Sequence, residues 1–259
     1  MKILCIGDVC GENGCEFLRM TLPKFKREHN IDFVIVNGEN SYDGKGITPA
    51  TAQSIFDSGA DVITTGNHSF GRFESYDYYD SCENLIRPAN YPKTAPGRGY
   101  TVIDMLRYKV CVINLLGTLF LEPLDDPFRI IDDILEKTKD CRIRILDFHA
   151  EATAEKRAMA FYLDGKVSAV FGTHTHIPTA DETILPKGTG YITDVGMTGV
   201  EDSVLGVKKE NAIEKFRTHM PVRFDCAEGE CKMDCVVFDI DTKTGLAVGA
   251  ERFTVRRNR

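Results

Sequence analysis

Short apolar runs that stop at a polar loop recur along the chain. Residues 3–6 (Ile3-Leu4-Cys5-Ile6) end at Gly7 and deliver Asp8; residues 33–36 end at Asn37-Gly38-Glu39-Asn40; residues 62–65 end at Gly66-Asn67-His68. Runs of this length closed by glycine predict buried strands. The segments between them predict helices, one over about 14–30 and one over 48–59, the second with Thr48 as N-cap and Pro49 at the first helical position. Residues 87–99 are rich in proline and glycine and predict a loop, followed by strands near 100–104 and 109–115. Asp125-Asp126-Pro127 opens a helix whose stripe is Ile130, Ile131, Ile134 and Leu135. A strand over 142–148 reaches His149, a helix covers about 151–163, and a strand over 167–171 reaches Gly172-Thr173-His174-Thr175-His176. A helix near 209–217 and two strands, about 233–240 and 246–255, complete the pattern.

Strands alternating with helices predict an α/β fold, in which ligands bind beyond the carboxyl ends of the strands. No repeat, low-complexity tract or linker interrupts residues 1–259, which predicts a single domain. The composition, 42% hydrophobic and 27% charged, is that of an ordinary globular protein. The formal net charge of -7 argues against stable nucleic acid binding, which needs a basic surface to displace counterions. The basic tail of Arg256, Arg257 and Arg259 reads as solvated surface. No run approaches the length of a membrane span, and no signal segment is evident at the N-terminus. With nine cysteines, an odd number, the expectation is a cytoplasmic protein with free thiols.

Candidate chemistry changes the picture more than composition does. Five predicted strand ends each carry groups able to bind a metal: Asp8, Glu39 with Asn40, Asn67 with His68, His149, and His174 with His176. Four of the six histidines fall at these ends. Taken alone, Asp8 suits a helix cap, Asn67 a turn and His149 a hydrogen-bonded core position. Their shared placement is what points to a site. Two imidazoles two residues apart on extended chain would point the same way and chelate. The set of carboxylate, amide oxygen and imidazole suits two divalent or mixed-valence ions, iron first, with manganese or zinc as alternatives. Two carboxylates leave such a pair cationic, which attracts an anionic phosphoryl group. Paired metals polarise phosphoryl oxygens and lower the pKa of a bridging water. His68, next to Asn67, is placed to donate a proton to a leaving alkoxide.

At these residues the chain resembles the calcineurin-like metallophosphoesterases and, more narrowly, the bacterial YmdB family. The motifs are Gly7-Asp8-Val9, Asn37-Gly38-Glu39-Asn40 with Gly46-Ile47-Thr48, Gly66-Asn67-His68, Arg87-Pro88-Ala89-Asn90-Tyr91-Pro92, Asp147-Phe148-His149-Ala150-Glu151-Ala152-Thr153, and the stretches 171–181 and 192–198. The resemblance implies a four-layer α/β/β/α sandwich, two packed mixed sheets flanked by helices. It implies one metal on Asp8, Glu39, Asn40 and His176 and a second on Glu39, Asn67, His149 and His174, bridged by Glu39. It also implies His68 as proton donor and hydrolysis of cyclic nucleotides, 2',3'-cyclic ones in particular.

The chain departs from that family on the substrate side. Cys10 stands two residues after Asp8, where the wider superfamily has histidine, and reads as an inert buried thiol. The first loop reads Gly11-Glu12-Asn13-Gly14-Cys15 and lacks an arginine that could meet phosphate; Phe70 and Gly71 follow His68 where an aromatic and an acidic residue are usual. The alternatives are a broad-specificity phosphomonoesterase and a non-catalytic nucleotide sensor. Cys226, Cys231 and Cys235 lack a nearby fourth ligand for a zinc module. Expected partners are a small anionic phosphate ester or cyclic nucleotide; self-association into a homo-oligomer is left open.

Overall fold

A computed structural model describes residues 1–256. Two sheets stack face to face. The first has seven strands: β1 (Lys2–Ile6), β2 (Asp8–Val9), β3 (Phe33–Asn37), β4 (Val62–Thr64), β11 (Met197–Val200), β12 (Cys231–Ile240) and β13 (Ala247–Arg256), in the order β2-β11-β12-β1-β3-β4, with β13 paired to β12. The second has six: β5 (Tyr100–Asp104), β6 (Lys109–Leu116), β7 (Ile143–His149), β8 (Ala169–Thr173), β10 (Gly190–Ile192) and β9 (Thr183–Ile184), in the order β5-β6-β7-β8-β10-β9. The strands β1, β3 and β4 are parallel, as are β6, β7, β8 and β10.

Strand side chains alternate between faces, so parity sorts them into layers. Ile3, Cys5, Phe33 and Ile35 meet Val110, Val112, Ile143 and Ile145 in a core between the sheets. Leu4, Ile6, Val34 and Val36 face the other way, onto Phe17, Leu18, Leu22 and Phe25 of α1 (Gly11–His29) and Ile55 of α2 (Pro49–Asp57). Ile113, Leu115, Leu146 and Phe148 pack on Ile131 and Ile134 of α4 (Pro127–Lys137) and Met159 of α5 (Thr153–Tyr162). The expected four layers, helix, sheet, sheet, helix, are what the chain adopts. Thr48 caps α2, its side chain accepting from Thr51 N, and Asp126 caps α4 by accepting from Phe128 N.

Several elements differ from the sequence expectation. Strand β1 stops at Ile6, and Asp8 belongs to the separate strand β2, which pairs with β11. The break falls at Gly7, where a Cβ would stand 2.1 Å from the Gly196 carbonyl oxygen, so the chain can cross only without a side chain. The short strands β9, β10 and β11, a 3-10 turn at Phe73–Ser75 and helix α3 (Tyr76–Ser81) carry too few apolar positions to register as periodic. Helix α6 (Lys209–Thr218) falls where expected. No helix among the described residues is long and apolar enough to cross a membrane. Arg256 is half-exposed and pairs with Glu201 at 2.6 Å; Arg257 and Arg259 lie outside the described residues.

Candidate metal centre

The carboxyl ends of the parallel strands in both sheets point to one place. The first sheet delivers Asp8 after β1, Glu39 and Asn40 after β3, and Asn67 and His68 after β4; the second delivers His149 at the end of β7 and His174 and His176 after β8. Asp8, Glu39, Asn40, His149 and His176 are buried.

On one side of Glu39, the His149 Nε2 lies 3.1 Å from Glu39 Oε1, 2.9 Å from Asn67 Oδ1 and 3.1 Å from His174 Nδ1. On the other, Asn40 Nδ2 lies 3.2 Å from Glu39 Oε1 and 3.2 Å from His176 Nε2, which stands 3.7 Å from Asp8 Oδ1. Glu39 Oε2 accepts the backbone N–H of His68 at 3.0 Å. All eight residues singled out in the sequence therefore surround a single centre, and Glu39 touches both halves of it. The atoms of Glu39, His149 and His174 lie within 4.8 Å of one another; among the described residues, no other group of three His, Cys, Asp or Glu comes as close, the three cysteines 226, 231 and 235 included.

The ring protons are fixed by what lies behind each imidazole. Thr173 Oγ1 donates to Asp147 Oδ1 at 2.7 Å, so it accepts the His149 Nδ1 proton at 2.8 Å. His174 Nε2 faces Glu151 Oε2 at 3.0 Å, and His176 Nδ1 faces the Leu205 carbonyl oxygen at 3.1 Å. Each of those acceptors requires a proton on the nitrogen it faces. The opposite nitrogens, His149 Nε2, His174 Nδ1 and His176 Nε2, then turn lone pairs inward. Asp8 Oδ1 and Asn40 Oδ1 are buried with no hydrogen-bond partner. Neutral rings so held bring lone pairs together at about 3 Å beside orphaned oxygens, an arrangement that suits a bound cation. The donor set of oxygen and imidazole nitrogen fits divalent metal ions.

The electrostatics agree. Burial is the largest influence on each group. It would lower His149, yet the carboxylates of Glu39, Asp8 and Asp147 outweigh it and raise that imidazole to about 9. Burial would raise Glu39, but His149 and His68 bring it down to about 2. His174 is lowered to about 3, by burial and then by His149. Burial also lowers His68 and raises Asp8. Without a cation these carboxylates draw a second proton onto His149 Nε2; a bound cation would take that proton's place and receive the lone pair, while the outer imidazole of His174 stays neutral.

The His-x-His pair does not chelate from extended chain as its spacing suggested. His174 and His176 both have positive φ, 97° and 60°, so the loop turns tightly and sends the two rings to different halves of the centre. This loop is anchored from beneath: Asp194 accepts from Thr175 N at 3.2 Å and Thr175 Oγ1 at 2.7 Å and pairs with the buried Lys156 at 2.7 Å. Asp147, Thr173, Glu151, Lys156 and Asp194 were not assigned roles from the sequence. Asp147 did leave a signal there, a charged residue inside a run that otherwise reads as a buried strand. Asp147 also accepts from Thr64 Oγ1 at 2.5 Å and Asn37 Nδ2 at 3.1 Å, which ties the two sheets together beneath the site. Cys10 is buried as expected, with Sγ 3.6 Å from His176 Nδ1, and burial pushes its pKa up.

A cavity of about 430 Å³ opens at the centre, lined in part by Glu39, Asn40, His68, His174 and His176. His68 Nε2 lies 3.3 Å from the Asn67 amide nitrogen, which leaves the ring proton on Nδ1.

Two packed sheets flanked by helices, with a cluster of carboxylates, amides and imidazoles at their shared end, form the metallophosphoesterase architecture. Residues 4–253 match the YmdB-like protein family, and the chain belongs to it. It is 49% identical to the 2',3'-cyclic-nucleotide 2'-phosphodiesterase of Bacillus subtilis, over 98% of this chain and 97% of that protein. Among solved structures, a hypothetical protein from Thermus thermophilus superposes with a TM-score of 0.94 at 38% identity, covering 100% of both chains. A structure described as a novel phosphatase from Mycoplasma pneumoniae superposes with a TM-score of 0.94 at 34% identity, covering 99% of this chain and 93% of that one.

Proposed function

We propose that the chain is a metal-dependent phosphodiesterase that opens 2',3'-cyclic nucleotides, with Asp8, Glu39, Asn40 and His176 holding one ion, Glu39, Asn67, His149 and His174 a second, and His68 supplying a proton. The observation that carries it is the set of inward lone pairs beside two orphaned buried oxygens. Membership of the family and the Bacillus subtilis relative support the substrate class. When bound, the two ions, iron first with manganese or zinc as alternatives, supply positive charge to the phosphoryl oxygens and lower the pKa of water.

The chain's own residues do the rest. Glu39, in contact with both halves, fixes their separation. Thr173, Glu151 and Leu205 hold the three imidazoles with their lone pairs inward. His68, held by its backbone N–H to Glu39, lines the cavity beside the centre. From there, as the imidazolium, it gives one proton to the ribose oxygen released as one phosphorus–oxygen bond of the ring breaks and returns to the neutral ring, while water supplies the new bond to phosphorus and loses a proton to solvent. Because both sheets furnish ligands, residues 1–259 act as one catalytic domain. Nine unpaired cysteines support a reducing, cytoplasmic setting.

Steady-state assays on 2',3'-cyclic AMP, bis-p-nitrophenyl phosphate and p-nitrophenyl phosphate, with and without manganese, test this. Manganese-dependent turnover of both diesters is expected, with His68→Ala slower by about 10²–10⁴-fold. Steady turnover of p-nitrophenyl phosphate with none of 2',3'-cyclic AMP would instead indicate a phosphomonoesterase.

A further inference from the structure

The cavity at the centre has lining residues that neither the proposed ligand set nor His68 accounts for. Besides the polar residues of the centre and the charged Asp43 and Lys45, its lining includes the apolar Leu205, Val207 and Phe224. Phe224 is 53% exposed and Leu205 41%, and both belong to the cavity lining. They are not on a loose segment. Val207 pairs antiparallel with Cys226, Lys208 N donates to Asp225 O at 3.0 Å, and Asn211 Nδ2 donates to Arg223 O at 2.9 Å. These bonds hold the backbone on both sides of Phe224. The same lining is joined to the centre, because the Leu205 carbonyl oxygen is the acceptor for His176 Nδ1.

A cavity with a phosphate-seeking centre and a flat aromatic ring in its lining matches a ligand with an anionic end and a planar apolar end. We infer that Phe224, which shares the cavity lining with Leu205, is the platform on which the base of a nucleotide substrate stacks, and so determines specificity for nucleotides over other cyclic phosphate esters. The inference rests on the phosphodiesterase reading above and names how that site chooses its substrate. Base–aromatic stacking tolerates any base, since each has a π face, so both purines and pyrimidines are accepted. Phe224 touches the base and not the reacting atoms; its contribution therefore falls on KM and not on kcat.

The test compares wild type, Phe224→Ala and Phe224→Trp on 2',3'-cyclic AMP and on glycerol 1,2-cyclic phosphate, which presents the same five-membered ring without a base. For Phe224→Ala the ratio of kcat/KM for cyclic AMP to kcat/KM for the glycerol ester should fall about tenfold or more, through KM, and Phe224→Trp should restore it. An unchanged ratio in Phe224→Ala, or a parallel loss of kcat on both substrates, overturns the platform. If wild type turns over neither ring, the phosphodiesterase reading fails. Equilibrium dialysis of 2',3'-cyclic AMP against wild type and Phe224→Ala then decides the platform alone. Weaker binding to the variant upholds it; equal binding, or none to wild type, overturns it.

Discussion

At the scale of single residues, the centre depends on groups one step behind the ligands. Glu151 illustrates this: its side chain is half-exposed and its one specific contact is with His174 Nε2 at 3.0 Å. Carboxylates that accept a ligand imidazole's outer proton fix its tautomer and raise its basicity, and their loss commonly costs 10–100-fold in metal affinity. Glu151→Leu should weaken metal binding by about that factor in a chelator competition, and Glu151→Gln, which keeps an acceptor oxygen, by less. Equal affinity in all three proteins would show that something else orients His174. Gly66 sets a steric condition on the other imidazole. A Cβ there would stand 2.2 Å from His149 Cδ2, so Gly66→Ala must displace the ring. Manganese affinity should fall roughly tenfold or more while the far-ultraviolet circular dichroism is retained. A variant that binds manganese as wild type does would place the ring elsewhere in solution. The proposed ligand positions were legible in the sequence because each is a polar group closing an apolar run. Glu151 was not, since a glutamate at a helix start has an ordinary reason to be there, favourable charge near the helix N-terminus.

At the scale of elements, α5 and the loop after β8 are coupled through an ion pair that no local pattern announces. Lys156 and Asp194 are both almost fully buried and 2.7 Å apart, 38 positions separated in sequence. Asp194 holds Thr175, between His174 and His176, so the pair anchors the loop from beneath. Removing one partner leaves a buried charge uncompensated, at a cost of about 3–5 kcal/mol. Lys156→Met should lower the urea midpoint accordingly, and Lys156→Met combined with Asp194→Asn should recover part of the loss. If the double variant is no more stable than the single one, the charge at Asp194 is not what the lysine serves. Most helices and long strands were legible because their periodicity survives in the residues themselves: α4 carries its buried Ile131 and Ile134 at helical spacing, and β1 and β3 are nearly continuous apolar runs. The short strands were not legible, because they exist by pairing. Two residues at Asp8–Val9 become a strand only when β11 lies beside them, and the tight turn at His174 and His176 has positive φ, uncommon for any residue with a Cβ and not signalled by the sequence.

At the scale of the whole molecule, the centre is where the two sheets are joined by charge as well as by packing. Asp8, Glu39 and Asn67 come from one sheet and His149, His174 and His176 from the other, so a cation bound between them holds the layers together only in the folded state. Binding to the folded form alone stabilises it by RT ln(1 + [L]/Kd), about 2.7 kcal/mol per site at a hundredfold excess over Kd. For a chain of this size each kcal/mol shifts Tm by roughly 2–4 °C, so one filled site should raise it by roughly 5–10 °C. A chelator should lower Tm of the metal-loaded protein, and added manganese should restore it with a dependence on free metal that follows the same relation. Glu39 separates this linkage from ordinary packing. It is buried and touches both halves, so Glu39→Ala should lose both ions by elemental analysis and leave a Tm indifferent to chelator and to manganese alike. The apolar core between the sheets, from Ile3 and Phe33 to Ile143 and Ile145, is untouched by that change, so the variant should still unfold cooperatively. Two ions retained per chain would mean that Glu39 does not bridge them.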